Sequence, residues 1–259
     1  MPSSSTPQPV LFLGHGTPLN VISDNAYTRG WAELGARLKK PSAILAISAH
    51  WYVEATAVTM MANPPTIYDF GYRNLFHIKY PAPGNPALGK RVAELLSPAK
   101  VYADERWGLD HGTWSVLIKL FPQADVPVVQ LSLDFRQAPQ FHFELGKRLK
   151  ALRDENVLIV ASGNIVHNLG LVVRQGESAP FDWATRFDET VRDRVLRRDW
   201  QSLINYEQLP DAALAAPTPD HYLPLLYAAG ASSEADEITF PIEGIDRGSM
   251  SMRSIAFGL

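Results

Sequence analysis

The stretch Val10-Leu11-Phe12-Leu13-Gly14-His15-Gly16-Thr17-Pro18 decides how the rest of the chain is read. Its first four residues are apolar without alternation, the pattern of a central strand covered on both faces. The run stops at a histidine held between two glycines. Glycine lets the backbone turn sharply and leaves room beside a ligand, so a histidine there suits an ion or a substrate. Alone, it could be no more than part of a tight turn. The stretch Ala43-Ile44-Leu45-Ala46-Ile47-Ser48-Ala49-His50-Trp51 repeats the plan, with an apolar strand, small residues and then His50. Two buried strands that each deliver a histidine are hard to explain by packing.

The surrounding pattern extends this start into an α/β domain. Residues 24–40 carry apolar positions on one helical face and a basic end, and Pro41 closes the helix. The opening is therefore β-α-β, which predicts adjacent parallel strands with a right-handed crossover. Further buried strands are expected over 128–133 and 157–161, and shorter ones over 55–61 and 101–104. Helices are expected over 86–96, 141–152 and 181–198, with a helical run closing the segment 106–120 after Trp107-Gly108-Leu109-Asp110-His111-Gly112-Thr113-Trp114, and short helices across 199–230. Residues 238–245 and 250–257 read as a final antiparallel pair. The result is a single domain over residues 1–259, α/β in class, with a central, mostly parallel mixed sheet flanked by helices. Residues 1–8 read as a disordered lead. A ligand site is expected at the carboxyl ends of the strands, where open α/β sheets bind.

Composition removes several function classes. The 24 Lys+Arg against 27 Asp+Glu give a net charge of −3 with no basic block, which argues against a nucleic-acid partner. No apolar run approaches twenty residues, so no membrane span is expected. The first residues lack the basic region and apolar core of a signal peptide, and the default expectation is a cytoplasmic protein. The absence of cysteine excludes disulfides, thiolate metal ligands and thiol nucleophiles. Any metal must be held by His, Asp or Glu. Oligomeric state is not encoded in any feature of the sequence, and a monomer or a homodimer fits.

Of the seven histidines, five fall at element boundaries. His15, His50 and His167 follow buried strands. His111 sits in Leu109-Asp110-His111-Gly112 before a helix. His221 sits in Thr218-Pro219-Asp220-His221, where Thr218 or Asp220 would cap a helix and put His221 in its first turn. His142 lies in a charged amphipathic helix and reads as a surface residue, and His77 as structural or peripheral. Several neutral imidazoles without a thiolate suit a divalent first-row metal such as zinc, iron, copper or nickel.

The motifs GHGTP (14–18), SAHW (48–51), DHG (110–112), SGNIVHN (162–168) and TPDHYLPL (218–225), in this order, resemble the class III extradiol ring-cleaving dioxygenases. Within that family they are most similar to the branch of bacterial and plant DOPA dioxygenases. The resemblance runs to GSMSMRS at 248–254. It implies a non-haem iron(II) enzyme that opens a catechol ring with dioxygen to a semialdehyde, with zinc able to occupy the same site. It implies His15, His50 and His221 as metal ligands, and His167 as a fourth ligand or an acid/base. Relatives outside the branch use a glutamate where this chain has His221. His167 is the expected base and His111 the expected acid, since imidazoles near neutrality suit proton transfer. Tyr68, Phe70, Tyr72 and Phe76, in an irregular aromatic segment, are expected to wall the catechol. Arg73, Lys79 and Arg247 are candidate partners for a substrate carboxylate. A zinc hydrolase using His111 or Asp110 as base, or a redox-inactive metal-binding protein on the same fold, are the competing expectations.

Overall fold

The computed structural model of the chain describes residues 6–174 and 178–259. Its strands are β1 (Val10–Gly14), β2 (Ala43–Val53), β3 (Thr56–Thr59), β4 (Val101–Asp104), β5 (Val128–Asp134), β6 (Val157–Gly163), β7 (Ile238–Ile242), β8 (Ile245–Asp246), β9 (Met250–Ser251) and β10 (Ser254–Phe257). The helices are α1 (Ala26–Arg37), α2 (Pro86–Leu96), α3 (His111–Leu120), α4 (Pro139–Leu149), α5 (Asp182–Leu196), α6 (Trp200–Ile204), α7 (Ala212–Ala215) and α8 (Leu223–Ala231).

Eight strands form one sheet in the order β4-β3-β5-β2-β6-β1-β10-β7. The four central strands β5, β2, β6 and β1 are parallel, β10 and β3 join them antiparallel, and β7 and β4 close the two edges. The expected mostly parallel mixed sheet is what the chain forms. Alternate residues of β1 enter different cores: Val10 and Phe12 pack with α2, α4, α5 and α8, while Leu11 and Leu13 pack with α1 and α3. A strand covered on both sides in this way needs the unbroken apolar run seen in the sequence.

Several expectations are corrected. β1 and β2 are parallel but not adjacent, because β6 lies between them. Chain order fixes the crossover, not whether a later strand is inserted. β2 does not stop before His50 but continues to Val53, with its pairing to β5 broken between Ile47 and Tyr52. The final pair is interrupted by a small hairpin of β8 and β9, and only β7 and β10 join the main sheet. His142 is fully buried, with Nδ1 at 3.3 Å from the Tyr227 hydroxyl; the charged face of α4 that suggested exposure carries Glu144 and Lys147 instead. Of the lead expected over 1–8, Gln8 is buried and bonded through its backbone to Arg153 and its side chain to Asn156. Residues 1–5 lie outside the described residues. Among the described residues, no helix is long and apolar enough to cross a membrane.

Candidate metal centre

The insertion of β6 sets the geometry of the site. Strands lie about 4.8 Å apart, so the ends of β1 and β2 are separated by two such steps. Two small side chains, Ser48 and Ser162, pair across β2 and β6 at this level. They leave space above β6 for the rings of His15 and His50 to meet, and the two Nε2 atoms are 3.1 Å apart. His221 arrives from the loop before α8. Its carbonyl accepts from the Asn164 amide at 2.9 Å, and a side chain on Gly163 would strike that carbonyl at 2.2 Å. Gly163 therefore admits the His221 backbone against the end of β6. The helix starts at Leu223, so His221 precedes it, and the Asp220 side chain bonds the His221 ring rather than capping the helix.

Of the two glycines around His15, Gly14 has a different reason from the one expected. A Cβ on Gly14 would lie 2.7 Å from the Met252 backbone, and Gly16 has φ +59° with the Met252 sulfur beside it. The room at Gly14 is filled by the chain that leads into β10, while Gly16 makes the expected turn and lines the cavity of the histidines.

His15, His50 and His221 each offer a ring nitrogen, and these atoms lie within 4.8 Å of one another. The tautomer of His15 follows from its neighbours. Ser162 Oγ donates its one proton to the Gly112 carbonyl, so it can only accept from His15 Nδ1, 3.0 Å away. His15 Nε2 then carries a lone pair toward the centre. The Nδ1 atoms of His50 and His221 face carboxylates in the same manner, Asp69 Oδ2 at 3.2 Å and Asp220 Oδ2 in closer contact. His221 Nε2 is buried with no partner. This is the arrangement of metal-binding imidazoles, in which the outer nitrogen is held by an acceptor and the inner one is free. Burial and the neighbouring imidazoles hold His15 and His50 well below their usual pKa, which keeps those lone pairs available. Burial would raise Asp220, but its bond to His221 and that ring's charge take it down to about 2.

His167 and His111 stand beside this trio. The His167 ring lies flat on His221, with centroids 3.5 Å apart and planes 6° from parallel. Its nitrogens are not in the set within 4.8 Å. Burial and His221 lower its pKa to about 2. His111 is the first residue of α3, whose start is capped by Asp110 bonding the Thr113 amide at 3.1 Å. Its ring lies 3.8 Å from that of His50. Asp110 itself is fully buried, raised to about 6 by burial and Asp69, and engaged with Gln130.

All five boundary histidines line one cavity of about 490 Å³. Phe70 and Tyr72 line it as expected, whereas Tyr68 and Phe76 do not; Tyr68 stacks on Phe76 and bonds the Ile78 carbonyl. Arg247 lines it, and the exposed Arg73 and Lys79 do not. His77 is exposed and outside it. Sequence reasoning missed Asp69, Leu169, Val172, Arg174 and Met250. Asp69 sits among four aromatics in an aperiodic stretch, and an acid within such a wall was the available signal.

Comparison with known proteins agrees with the geometry. Residues 9–250 match the family described as the catalytic LigB subunit of aromatic ring-opening dioxygenase. The 4,5-DOPA dioxygenase extradiol of Escherichia coli K12 is 51% identical, covering 98% of this chain and 96% of its own. That of Beta vulgaris is 36% identical over 99% of both chains. The crystal structure of an uncharacterized protein from Escherichia coli K12 superposes with a TM-score of 0.87 at 49% identity, covering 97% of this chain and 100% of that one. A sheet that brings five histidines to its carboxyl edge, and a match that spans nearly the whole chain, lead to one assignment: this chain belongs to the LigB family of extradiol, aromatic ring-opening dioxygenases.

Proposed function

We propose that the protein opens the ring of a catechol bearing an anionic side chain, as an iron(II)-dependent 4,5-DOPA dioxygenase-like enzyme. The observation that carries this reading is the convergence of one ring nitrogen from each of three imidazoles whose outer nitrogens face a hydroxyl or carboxylate oxygen. His15, His50 and His221 would hold the metal, and three neutral nitrogen donors suit iron(II) and zinc alike. A bound divalent metal would lower the pKa of a catechol hydroxyl and, as iron(II), would relay electron density from the catecholate to dioxygen. His167, neutral and packed on His221, takes the remaining hydroxyl proton. His111, on the other side of the trio beside His50, acts as the acid. Phe70 and Tyr72 cover the ring and limit water, and Arg247 receives a side-chain carboxylate.

Anaerobic loading with iron(II), followed by a small panel of catechols and air, tests the reading. Oxygen uptake with a yellow semialdehyde product is expected. Turnover of an ester or amide with zinc, and none of any catechol with iron, would replace it by a hydrolase on the same fold.

A further inference from the structure

Asp69 has no part in the proton transfers assigned to His167 and His111. It comes from the irregular aromatic segment, yet its carboxylate is drawn into the histidine cluster, with its side chain 18% exposed. Asp69 Oδ1 accepts from the backbone N–H of His111 at 3.0 Å. Asp69 Oδ2 lies 2.9 Å from His111 Nδ1 and 3.2 Å from His50 Nδ1. One oxygen thus faces the outer nitrogens of two different rings, one belonging to the metal-holding trio and one to the proposed acid. Both are close contacts rather than aligned hydrogen bonds, and the His111 nitrogen is buried with no other partner.

We propose that Asp69 is a positioning residue that fixes His50 and His111 in the same tautomer at once. A carboxylate oxygen has two lone pairs and no proton, so it accepts from both Nδ1–H groups. Each ring is then left with an unprotonated Nε2. For His50 that nitrogen is the one directed at His15, where a metal would sit. For His111 it is left in the cavity as an acceptor, and the ring must take up a proton there before it acts as the acid. Asp69 thereby ties the orientation of the acid to that of a ligand ring. The same three residues also form a cluster of two histidines and one carboxylate, and Asp69 as a ligand to a second ion is the rival arrangement. Its sharing of His50 with the first trio argues against it, because a second ion would demand that His50 lose both ring protons.

The variant that isolates the effect is Asp69→Asn. It keeps Oδ1 for the His111 backbone but replaces Oδ2 by an NH₂ that must donate to both rings, which inverts their tautomers. Asp69→Ala removes both contacts and serves as the second variant. Zinc or cobalt(II) binding by calorimetry gives a readout that needs no turnover, and thermal unfolding of each metal-free variant checks the fold. The expected result is one ion per chain in the native protein and in Asp69→Asn, with affinity weakened about 10–100-fold in the variant. In the iron-loaded enzyme, kcat is expected to fall by at least about a hundredfold, as for other aspartates that set a histidine tautomer, while KM changes little. Two ions in the native protein and one in Asp69→Asn would overturn the positioning role in favour of a ligand. Unchanged affinity and kcat would overturn it as well. The turnover arm rests on the catechol reading of the site; if no catechol is cleaved by the native enzyme, that reading fails while the metal-affinity arm still decides the role of Asp69.

Discussion

Two of the buried polar clusters in this domain, around Arg253 and around His15, are completed in opposite ways. Around Arg253, which is 2% exposed, every direction is answered. Its Nε and Nη2 donate to Asp188 at 2.8 and 2.5 Å, Nη2 also reaches Glu189, and Nη1 reaches Glu243. Ser251 donates to the other Asp188 oxygen. Around His15 the groups at the centre are of one kind: Nε2 faces Nε2, and the Nε2 of His221 faces nothing within the protein. A cluster whose donors and acceptors answer one another holds chain segments together. A cluster whose lone pairs converge is incomplete without something electrophilic from outside. One orphaned nitrogen does not suffice as a sign, since buried His142 Nε2 also lacks a partner; it is convergence that separates site from scaffold.

Substitutions should exchange these properties cleanly. The largest effect is expected at the histidine cluster: His15→Ala or His50→Ala should remove metal binding measured by calorimetry. In the native protein, zinc at a hundred times its dissociation constant should add about 2.7 kcal/mol of stability, and this gain should vanish in both variants. If either variant still binds and is stabilised, the trio is wrongly drawn. Next comes Asp188→Ala, which leaves Arg253 buried beside two more exposed acids. Loss of one partner from a buried pair costs about 3–5 kcal/mol, read by denaturant unfolding of the metal-free protein, with metal affinity unaffected. A change under about 1 kcal/mol, the worth of an exposed pair, would show that Glu189 and Glu243 suffice. The smallest effect is expected at the cavity mouth. Arg247→Ala should raise KM for a carboxylated catechol about tenfold more than for a neutral alkyl catechol, equivalent to about 1.4 kcal/mol. Equal changes for both substrates would remove Arg247 from carboxylate recognition.

Much of this was legible in the chain because buried parallel strands write themselves as apolar runs, and a glycine, a small polar residue or a histidine marks where each run ends. His15, His50, His111, His167 and His221 all stood at element boundaries, and all line one cavity. What the sequence could not carry was the order of strands. The insertion of β6 between β1 and β2 depends on long-range pairing, and it sets Ser162 beside Ser48, between the two strands that carry His15 and His50. Asp69 was missed because its segment has no period from which to infer a facing direction. His142 was misread because the charges nearest to it along α4 point elsewhere, and a histidine has no hydropathy strong enough to contradict them. The glycines beside His15 were rightly singled out, but the reason for Gly14 was out of reach, since Met252, which fills the room beside it, is more than two hundred residues away in sequence.

That contact between Gly14 and the Met252 backbone has a consequence for how the protein comes into being. A ribosome releases the first strand long before the segment that packs on it, and Ser254–Phe257 must pair with both Val10–Phe12 and the strand at the sheet edge. Contacts of such separation form late. His15 and His50 can collapse toward each other early, but the turn that aims His15 is not held until the end of the chain arrives. A nascent chain should therefore capture metal poorly, and a version truncated before Met250 should bind it weakly even though it retains all five histidines.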